Sequence, residues 1–425
     1  MPRWRTRPAS TRASPAPCPT WIGEVDLALP APDVRVPAHD APYQRARLLI
    51  RRGQLPVALL DFTPRDGVIE GSEIAQAVAD ASTDTRPQEI DAPDIGARQP
   101  FTVIVCTRDR PESLRRTLES LATLPGSEDE ILVIDSAPRS DEVARIVAEA
   151  GDPRVRHLPE PIGGLSRARN LGVLEARHEY LAFTDDDVAV DRFWLDGLAR
   201  GFAAAAHVGC VTGAVLPARL ETAAELYFDA AVDWPTSMRS ALFDLDRHRG
   251  DTPLYPYAAG RFGTGANFAL RASVVRRIGG FDEALGAGMP AAGGEDLDLF
   301  VRVVLSGSGI AYEPSAIIWH HHRSDLRSLR RQMRAYGSSM SAYGFKHLVY
   351  GRAAAPVARA LRQRSGDARS PAGRQRPQAP AGVRSAWLAG VATGPLAYLQ
   401  GRRTVRRQRP LLRAPARPRR EHRPD

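Results

Sequence analysis

The stretch Tyr180-Leu181-Ala182-Phe183-Thr184-Asp185-Asp186-Asp187 decides how this chain is read, because an apolar, strand-like run ends in three consecutive carboxylates. Three such groups side by side repel one another and resist losing their water, so they need a positive partner. A divalent cation shared with a phosphorylated ligand suits them, since hard cations take oxygen ligands and commonly share them with substrate phosphates. The plain alternative is an acidic turn capping the helix that starts near Arg192. What surrounds the run weighs between the two.

Outward from it, strands and helices alternate from Pro100 onward. Phe101–Cys106 is apolar and β-rich, and Pro111–Thr123 reads as a helix opened by Asp109 or Arg110 with Pro111 in its first turn. Strands are expected over Glu130–Ile134 and Val155–Leu158, and helices over Ser140–Glu149 and Ser166–Ala176. Short strands alternating with helices predict an α/β fold, an open and mostly parallel sheet with helices on both faces. Ligands of such sheets gather at the carboxyl ends of strands. Cys106-Thr107-Arg108-Asp109, Asp135-Ser136 and Asp185–Asp187 all fall at such ends. Three polar clusters therefore converge on one edge.

Further along, Val208–Val215 reads as a strand, Ala223–Ala231 as a helix and Trp234–Arg261 as irregular. The turn-rich Phe262-Gly263-Thr264-Gly265-Ala266-Asn267-Phe268 precedes a helix beginning at Arg271. A Gly/Ala-rich loop, Leu285–Gly293, leads into Gly294-Glu295-Asp296-Leu297-Asp298-Leu299, whose apolar spacing through Leu305 predicts a helix. Ile310–Trp319 is another strand, ending in His320-His321-His322-Arg323, and Asp325–Tyr343 reads as helical. Three adjacent histidines cannot bring three rings onto one tetrahedral ion, so a zinc site is set aside.

The flanks differ from this body. Residues 1–42, rich in Pro, Ala and Arg, are expected to be disordered. Residues 43–98 hold a small α+β unit and a linker, with strands Ala46–Ile50 and Val57–Phe62 and a helix over Glu70–Ala81. The α/β domain is bounded at 99–350, a low-complexity linker at 351–380, and an apolar and basic tail at 381–425. Of the net charge of +9, residues 351–425 contribute eighteen arginines against three acids, leaving 1–350 at −6. The apolar stretch Ala386–Leu399 beside Arg402, Arg403, Arg406 and Arg407 is read as an anchor lying on an anionic membrane, or as a helix packed back on the domain. No apolar run reaches the roughly 18–20 residues that span a bilayer. The N-terminus shows no apolar signal region. Three scattered cysteines exclude a disulfide framework. The expected location is cytoplasmic, peripheral at the inner face of the cell membrane.

In order and separation, several motifs resemble those of glycosyltransferase family 2. They are Thr-Val-Ile-Val-Cys-Thr-Arg-Asp-Arg at 102–110, Val-Ile-Asp at 133–135, Ala-Arg-Asn-Leu-Gly at 168–172 and Phe-Thr-Asp-Asp-Asp at 183–187. Gly-Gly-Phe-Asp-Glu at 279–283, Gly-Glu-Asp-Leu-Asp-Leu at 294–299 and Pro-Ser-Ala-Ile-Ile-Trp-His at 314–320 continue the series. The resemblance covers roughly residues 100–345 and implies a GT-A fold, a nucleotide-sugar donor, a divalent metal (Mn²⁺ or Mg²⁺) and inverting transfer to an acceptor hydroxyl. It places Thr107, Asp109 and Asp135 in the nucleotide pocket, and Arg169 on the nucleotide or diphosphate. Asp187, Asp185 and His320 become the metal site, with Asp185 and Asp186 also near the donor. Asp296 becomes the general base and Glu295 its neighbour that places the acceptor; Asp298 is assigned to the same cluster. Gly265 and Asn267 fall where acceptor or sugar belongs. The choice between His320 and His322 stays open.

The implied acceptor is a glycan, a lipid-linked molecule or a small molecule, with no specific nucleic acid as partner. Two competing readings are a sugar-phosphate nucleotidyltransferase and a non-catalytic nucleotide-sugar binder. The first wants a Gly-rich phosphate loop after the first strand, and Thr107-Arg108-Asp109-Arg110 has no glycine. The second is separated from an enzyme only by assay.

Overall fold

The computed structural model describes residues 18–27, 30–38, 43–83, 98–232, 234–351, 353–356 and 379–412. The disorder expected of 1–17, the linker segments 84–97 and 357–378 and the end of the basic tail, 413–425, lie outside the described residues.

The N-terminal unit comprises β1 (Thr20–Asp26), β2 (Val34–Arg35), β3 (Arg45–Arg52), β4 (Leu55–Phe62), β5 (Val68–Ile69) and α1 (Gly71–Thr83). Strand β3 is central, parallel to β1 and antiparallel to β4. Ala46, Leu48 and Ile50 on β3 pack with Val25, Ile69 and Ile74. The unit thus begins at Thr20, and the disorder expected over 1–42 is corrected for 20–26. Strand β1 carries little apolar periodicity of its own; its backbone groups are satisfied by β3, a partner that local sequence does not reveal.

The main domain continues with β6 (Phe101–Thr107), α2 (Pro111–Ala122), β7 (Glu130–Ser136), α3 (Glu142–Ala150), β8 (Val155–Glu160) and α4 (Leu165–Glu175). Next come β9 (Tyr180–Asp185), β10 (Val188–Val190), α5 (Trp194–Ala203), β11 (Val208–Pro217), α6 (Ala223–Ala231) and β12 (Ala241–Phe243). It closes with β13 (Asn267–Arg271), α7 (Ala272–Arg277), α8 (Glu295–Leu305), β14 (Gly309–His320), α9 (Leu326–Val349) and α10 (Val383–Gln408). The strands form one sheet in the order β10-β14-β11-β13-β9-β6-β7-β8, with β12 beside β14.

Alternation explains the two-sided core. Val103, Val105, Ile131 and Val133 face α2, α3 and α5, whereas Ile104, Leu132 and Ile134 face α4, α7 and α8. Burial on both faces makes these strands continuous apolar runs, which is why they were readable. The half formed by β9, β6, β7 and β8 is wholly parallel, and β11 is parallel to β14.

Strand β13 was not expected. It is antiparallel to both β9 and β11 and splits the parallel order. Its sequence follows a Gly-Thr-Gly turn and runs directly into a helix, so five residues of strand left no separate signal. Its position delivers the preceding Gly263–Ala266 loop to the carboxyl end of β9.

Helix α10 packs along α9, and small residues make the approach possible. A Cβ on Gly390 would lie 2.0 Å from the Arg334 carbonyl oxygen, and one on Gly337 would lie 2.1 Å from that of Trp387. The inner face of α10 is therefore protein-facing, while Trp387, Leu388 and Leu396 remain exposed outside it. The chain's only lysine, Lys346 on α9, sits 2.6 Å from Asp282 Oδ2 and 2.5 Å from Asp298 Oδ1. Arg302 and His347 also reach Asp298; burial alone would raise its carboxyl, but Arg302, Lys346 and His347 together hold it well below the usual range. Asp298 therefore braces α8 against α9. It does not join the Glu295–Asp296 cluster as expected.

Replacing Gly390 by Val forces α10 off α9. A stability loss of about 1–3 kcal/mol is expected, read by urea denaturation, with new cleavage sites in α10 on limited proteolysis.

Candidate active site

Sheet register builds the site. Strand β9 ends at Asp185, which lies opposite Cys106 of β6, and Thr184 lies opposite Asn267 of β13. A tight turn through Asp186 and Asp187 enters β10, whose Val188 pairs with His320 at the end of β14. The His321 backbone N–H donates to the Asp187 carbonyl at 3.1 Å. The acidic triplet and the histidines, far apart in sequence, are thus brought together by backbone pairing.

Each carboxylate of the triplet has a different environment. Asp186 is buried and accepts from Thr107 Oγ1 at 2.7 Å and from the Arg110 guanidinium. Asp187 accepts from Arg110 Nη2 at 2.8 Å and Arg323 Nη2 at 3.2 Å, with His320 Nε2 3.5 Å from its Oδ1. Asp185 is one-third exposed and lies 3.3 Å from Arg169 Nη2. Burial raises Asp186 to about 6 despite Arg110, and burial raises Asp185 too against the pull of Arg169, with Asp187 and Asp186 adding to the rise. In Asp187 burial works the same way, but His320 (when protonated, in acid), Arg110 and Arg323 overcome it and hold the carboxyl below its ordinary value. Burial pushes His320 down to about 4 against the pull of Asp187, so its imidazole is neutral near pH 7 and keeps a lone pair.

Ligand atoms of Asp185, Asp187 and His320 lie within 4.8 Å of one another. Two carboxylates and a neutral imidazole suit a divalent cation of the manganese type. The surplus of acid over base in the triplet gives such an ion a charge to neutralise. The donor set fits the expected metal.

Opposite the triplet, α8 begins at Gly294 in a left-handed conformation, with φ 84°. Asp296 is partly exposed; its Oδ2 accepts from the Gly265 N–H at 2.7 Å and its Oδ1 from that of Leu297 at 2.8 Å. Glu295 is buried, with Oε1 2.9 Å from Arg169 Nη1 and Oε2 without a partner among the described residues. Burial, with repulsion from Asp296, raises Glu295 to about 7 against the pull of Arg169. The N-terminal turn of α8 thus presents one carboxylate to the cavity and keeps its neighbour inside.

All this lines a cavity of about 630 Å³. Cys106, Thr107, Arg108, Arg110, Ser136 and Gly164 contribute one part; Trp234, Gly263–Ala266, Asp296, Tyr336 and Met340 contribute another, with the acidic triplet also in the wall. Thr107 and Gly265 line it as expected. Asp109 does not. It takes φ +53° and turns its carboxylate to Arg139 at 3.4 Å, outside the lining. Asp135 lies buried behind Ser136, 3.4 Å from His157, with Oδ1 unpartnered among the described residues.

Two further roles are corrected. Arg169 touches the cavity, but its guanidinium is 3% exposed and spent on Glu295, Asp185 and the Gly265 carbonyl, where it donates at 2.8 Å. It is a buried strut, not a free hand for a donor. Asn267 is fully buried; its Nδ2 donates to the Ala214 and Ala316 carbonyls and its Oδ1 accepts from Trp194 Nε1, each at 2.8 Å. It stitches β13 to β11 and β14 and does not reach the acceptor. Arg110 and Arg323 were missed, although both stood inside quoted motifs. Arg110 was visible as the cation before the Pro111 helix start, but nothing local tied it to acids seventy-odd residues away. Tyr336 and Trp234 had no local signal.

With this geometry in view, comparison with known proteins is direct. The sequence pattern of the family described as Glycosyl transferase family 2 matches residues 102–278. Residues 102–278 are a glycosyltransferase family 2 domain. The α/β sheet agrees with the GT-A fold that the resemblance implies. The chain is 29% identical over 304 residues to the pre-mycofactocin glycosyltransferase of Mycobacterium tuberculosis, an alignment spanning 71% of this chain and 57% of the relative. It is 32% identical over 226 residues to the succinoglycan biosynthesis protein ExoM of Rhizobium meliloti, covering 51% and 64%. The chain thus spans little more than half the length of the mycobacterial relative. A mannosyltransferase from Pyrobaculum calidifontis, solved with GDP-Man and Mn²⁺, superposes with a TM-score of 0.44 at 18% identity, over 79% of this chain and 82% of that one.

The family 2 domain should lose stability, not acceptor affinity, when Asn267 becomes Ala. Three buried polar groups lose partners, and a cost of about 2–4 kcal/mol follows; chemical denaturation measures it. A raised acceptor KM at unchanged stability would restore the acceptor role.

Proposed function

We propose that this protein transfers a sugar from a nucleotide-sugar donor to an acceptor hydroxyl, with divalent-metal dependence and inversion, in glycan or cell-envelope biosynthesis. The observation that carries the reading is the Asp185–Asp187–His320 cluster facing a cavity that also holds the Asp296 carboxylate.

The residues divide the work. Asp185, Asp187 and His320 would hold the cation, which when bound would supply Lewis-acid neutralisation of diphosphate charge. Arg110 and Arg323 keep the triplet together without it, as fixed counter-charges on Asp186 and Asp187. Ser136 and the loop at Thr107 line the nucleotide part, with buried Asp135 behind Ser136 as the candidate acceptor for a base N–H. Asp296, steadied by two backbone N–H groups, takes the acceptor proton as the hydroxyl attacks the anomeric carbon. A single attack opposite the leaving diphosphate inverts that carbon. Glu295 and Arg169 shape the wall beside it.

The test is thermal-shift binding of UDP-, GDP- and dTDP-sugars with and without Mn²⁺, followed by turnover assays. One nucleotide class should stabilise the protein only with Mn²⁺, and Asp187→Ala should abolish this. Asp296→Asn should keep donor binding and lose about 10²–10⁴-fold in kcat. Donor binding with no turnover against any acceptor would favour the non-catalytic binder. Nucleoside triphosphate consumption with sugar phosphate would favour the nucleotidyltransferase.

We also propose that the outer face of the α9–α10 pair rests on an anionic membrane. Among the described residues neither helix carries an acid. Exposed Trp387, Leu388 and Leu396 lie on a helix with Arg384, Arg403 and Arg407, and exposed Met340 belongs both to α9 and to the cavity lining. Apolar side chains flanked by arginines match the interface of an anionic bilayer, which favours a lipid-linked acceptor. No helix among the described residues is long and apolar enough to cross a membrane. Flotation should show binding to vesicles containing phosphatidylglycerol, lost with Leu388→Glu/Leu396→Glu; equal recovery with pure phosphatidylcholine would refute the charge component.

A further inference from the structure

The two histidines that alternate on β14 and beyond are not equivalent, and their surroundings extend into the N-terminal unit. His320 Nε2 faces Asp187, while His320 Nδ1 lies 3.0 Å from His322 Nδ1. On the far side of His322, Nε2 is buried without a hydrogen-bond partner among the described residues, and Asp229 Oδ1 of α6 lies 4.0 Å away. Asp229 Oδ2 accepts from Arg47 Nη1 of β3 at 2.8 Å, and Arg47 is also held by Asp61 Oδ1 at 2.6 Å. The rings cannot drift sideways. Trp234 packs edge-on to His320 at 5.3 Å, and Phe228 does so to His322 at 4.8 Å.

Proton bookkeeping turns this row of contacts into a device. Two ring nitrogens facing each other at 3.0 Å need one proton between them, and a neutral imidazole has one donor and one acceptor. A carboxylate accepts only, so Asp229 favours the His322 tautomer protonated at Nε2. His322 Nδ1 is then bare and must accept. His320 must accordingly carry its proton on Nδ1, and its Nε2 lone pair is left pointing toward Asp187. The opposite arrangement puts the proton on His320 Nε2, toward Asp187 Oδ1 at 3.5 Å, so Asp187 and Asp229 pull the shared proton in opposite directions. A cation, which needs the Nε2 lone pair, is served only by the Asp229 side of that balance. Ligand imidazoles are generally set in this way by a partner on their other nitrogen.

We propose that Asp229 and His322 are positioning residues that hold His320 in its metal-accepting tautomer, and that Arg47 makes the N-terminal unit part of this array. This rests on the reading of Asp185, Asp187 and His320 as a cation site. It gives the N-terminal unit a role beyond packing, since the array ends on its central strand.

Two measurements on the full chain test it. The first is titration with Mn²⁺ alone, following free Mn²⁺ by its paramagnetic resonance signal. His322→Phe should weaken binding by about 10- to 100-fold, and His322→Asn, whose amide oxygen can replace the Nδ1 acceptor, should restore most of it. Asp229→Asn and Arg47→Met should weaken binding less, in that order. The second is histidine ¹⁵N NMR of the metal-free protein, in which the fraction of His320 protonated at Nδ1 should be lower in Asp229→Asn than in the wild type. This second readout stands even if His322→Phe fails to fold.

An unchanged His320 tautomer distribution between the wild type and Asp229→Asn overturns the proposal. So does wild-type Mn²⁺ affinity in a folded His322→Phe protein. His320→Ala separates the two levels. If it binds Mn²⁺ like the wild type, the cation site itself is wrong and the array falls with it. If His320→Ala loses binding while His322→Phe keeps it, the cation site stands and only the array is refuted.

Discussion

Crowding of negative charge at one sheet edge is the constraint on which the rest of this structure depends. Asp185, Asp186, Asp187 and Glu295 all lie within reach of a few guanidinium groups, three of the four being buried. Desolvated carboxylates are costly unless paired. Arg169 serves Asp185 and Glu295 from inside, and Arg110 and Arg323 serve Asp186 and Asp187 from the cavity side. The inner arginine is locked between Phe268 and Phe281 as well. The outer pair is less buried, with Arg323 42% exposed. The site is therefore rigid on the protein side and adjustable where ligands arrive.

That arrangement explains why elements distant in the chain meet here. The antiparallel β13 interrupts the parallel order and sets Gly265 against Asp296, through an N–H that keeps the carboxylate aimed. Asn267 then ties β13 to both neighbouring strands. Strand β10 is only three residues long, yet its pairing with β14 brings Asp187 to His320. Short, irregular elements carry the chemistry, and the long parallel strands supply the frame they lean on.

Around this centre the appended parts are structural partners of the site. Buried Arg51 of β3 pairs with Asp191, just past β10, and with Glu24 of β1. Arg47 of the same strand reaches Asp229. Helix α9 supplies Tyr336 and Met340 to the cavity and is itself braced by Lys346 on Asp282 and Asp298. Helix α10 covers α9 and, through Tyr398, donates to the same Asp282 at 2.9 Å. Flanking segments that looked like appendages thus hold the walls of the site.

How much of this was legible in the residues follows from the range of the forces involved. Strands buried on both faces are continuous apolar runs, and helices repeat at their own period, so β6 through β9 and α2 through α4 could be read directly. Polar clusters at three strand ends located the site, and the motif order located its acids. Asp296 and Glu295 could be placed at a helix start, but not told apart by exposure. Partnership was beyond local reading. Whether Arg169 reaches a ligand or is spent on Asp185 and Glu295, whether Asn267 faces the cavity or the sheet, and which of His320 and His322 faces Asp187 depend on contacts between residues far apart in the chain. The sequence by itself determined the α/β frame and the chemical inventory of the site, because both are written in local periodicity and residue type. Only the tertiary structure decided which side chains are free to act and which are committed to one another, because long-range pairing sets burial, and burial sets charge.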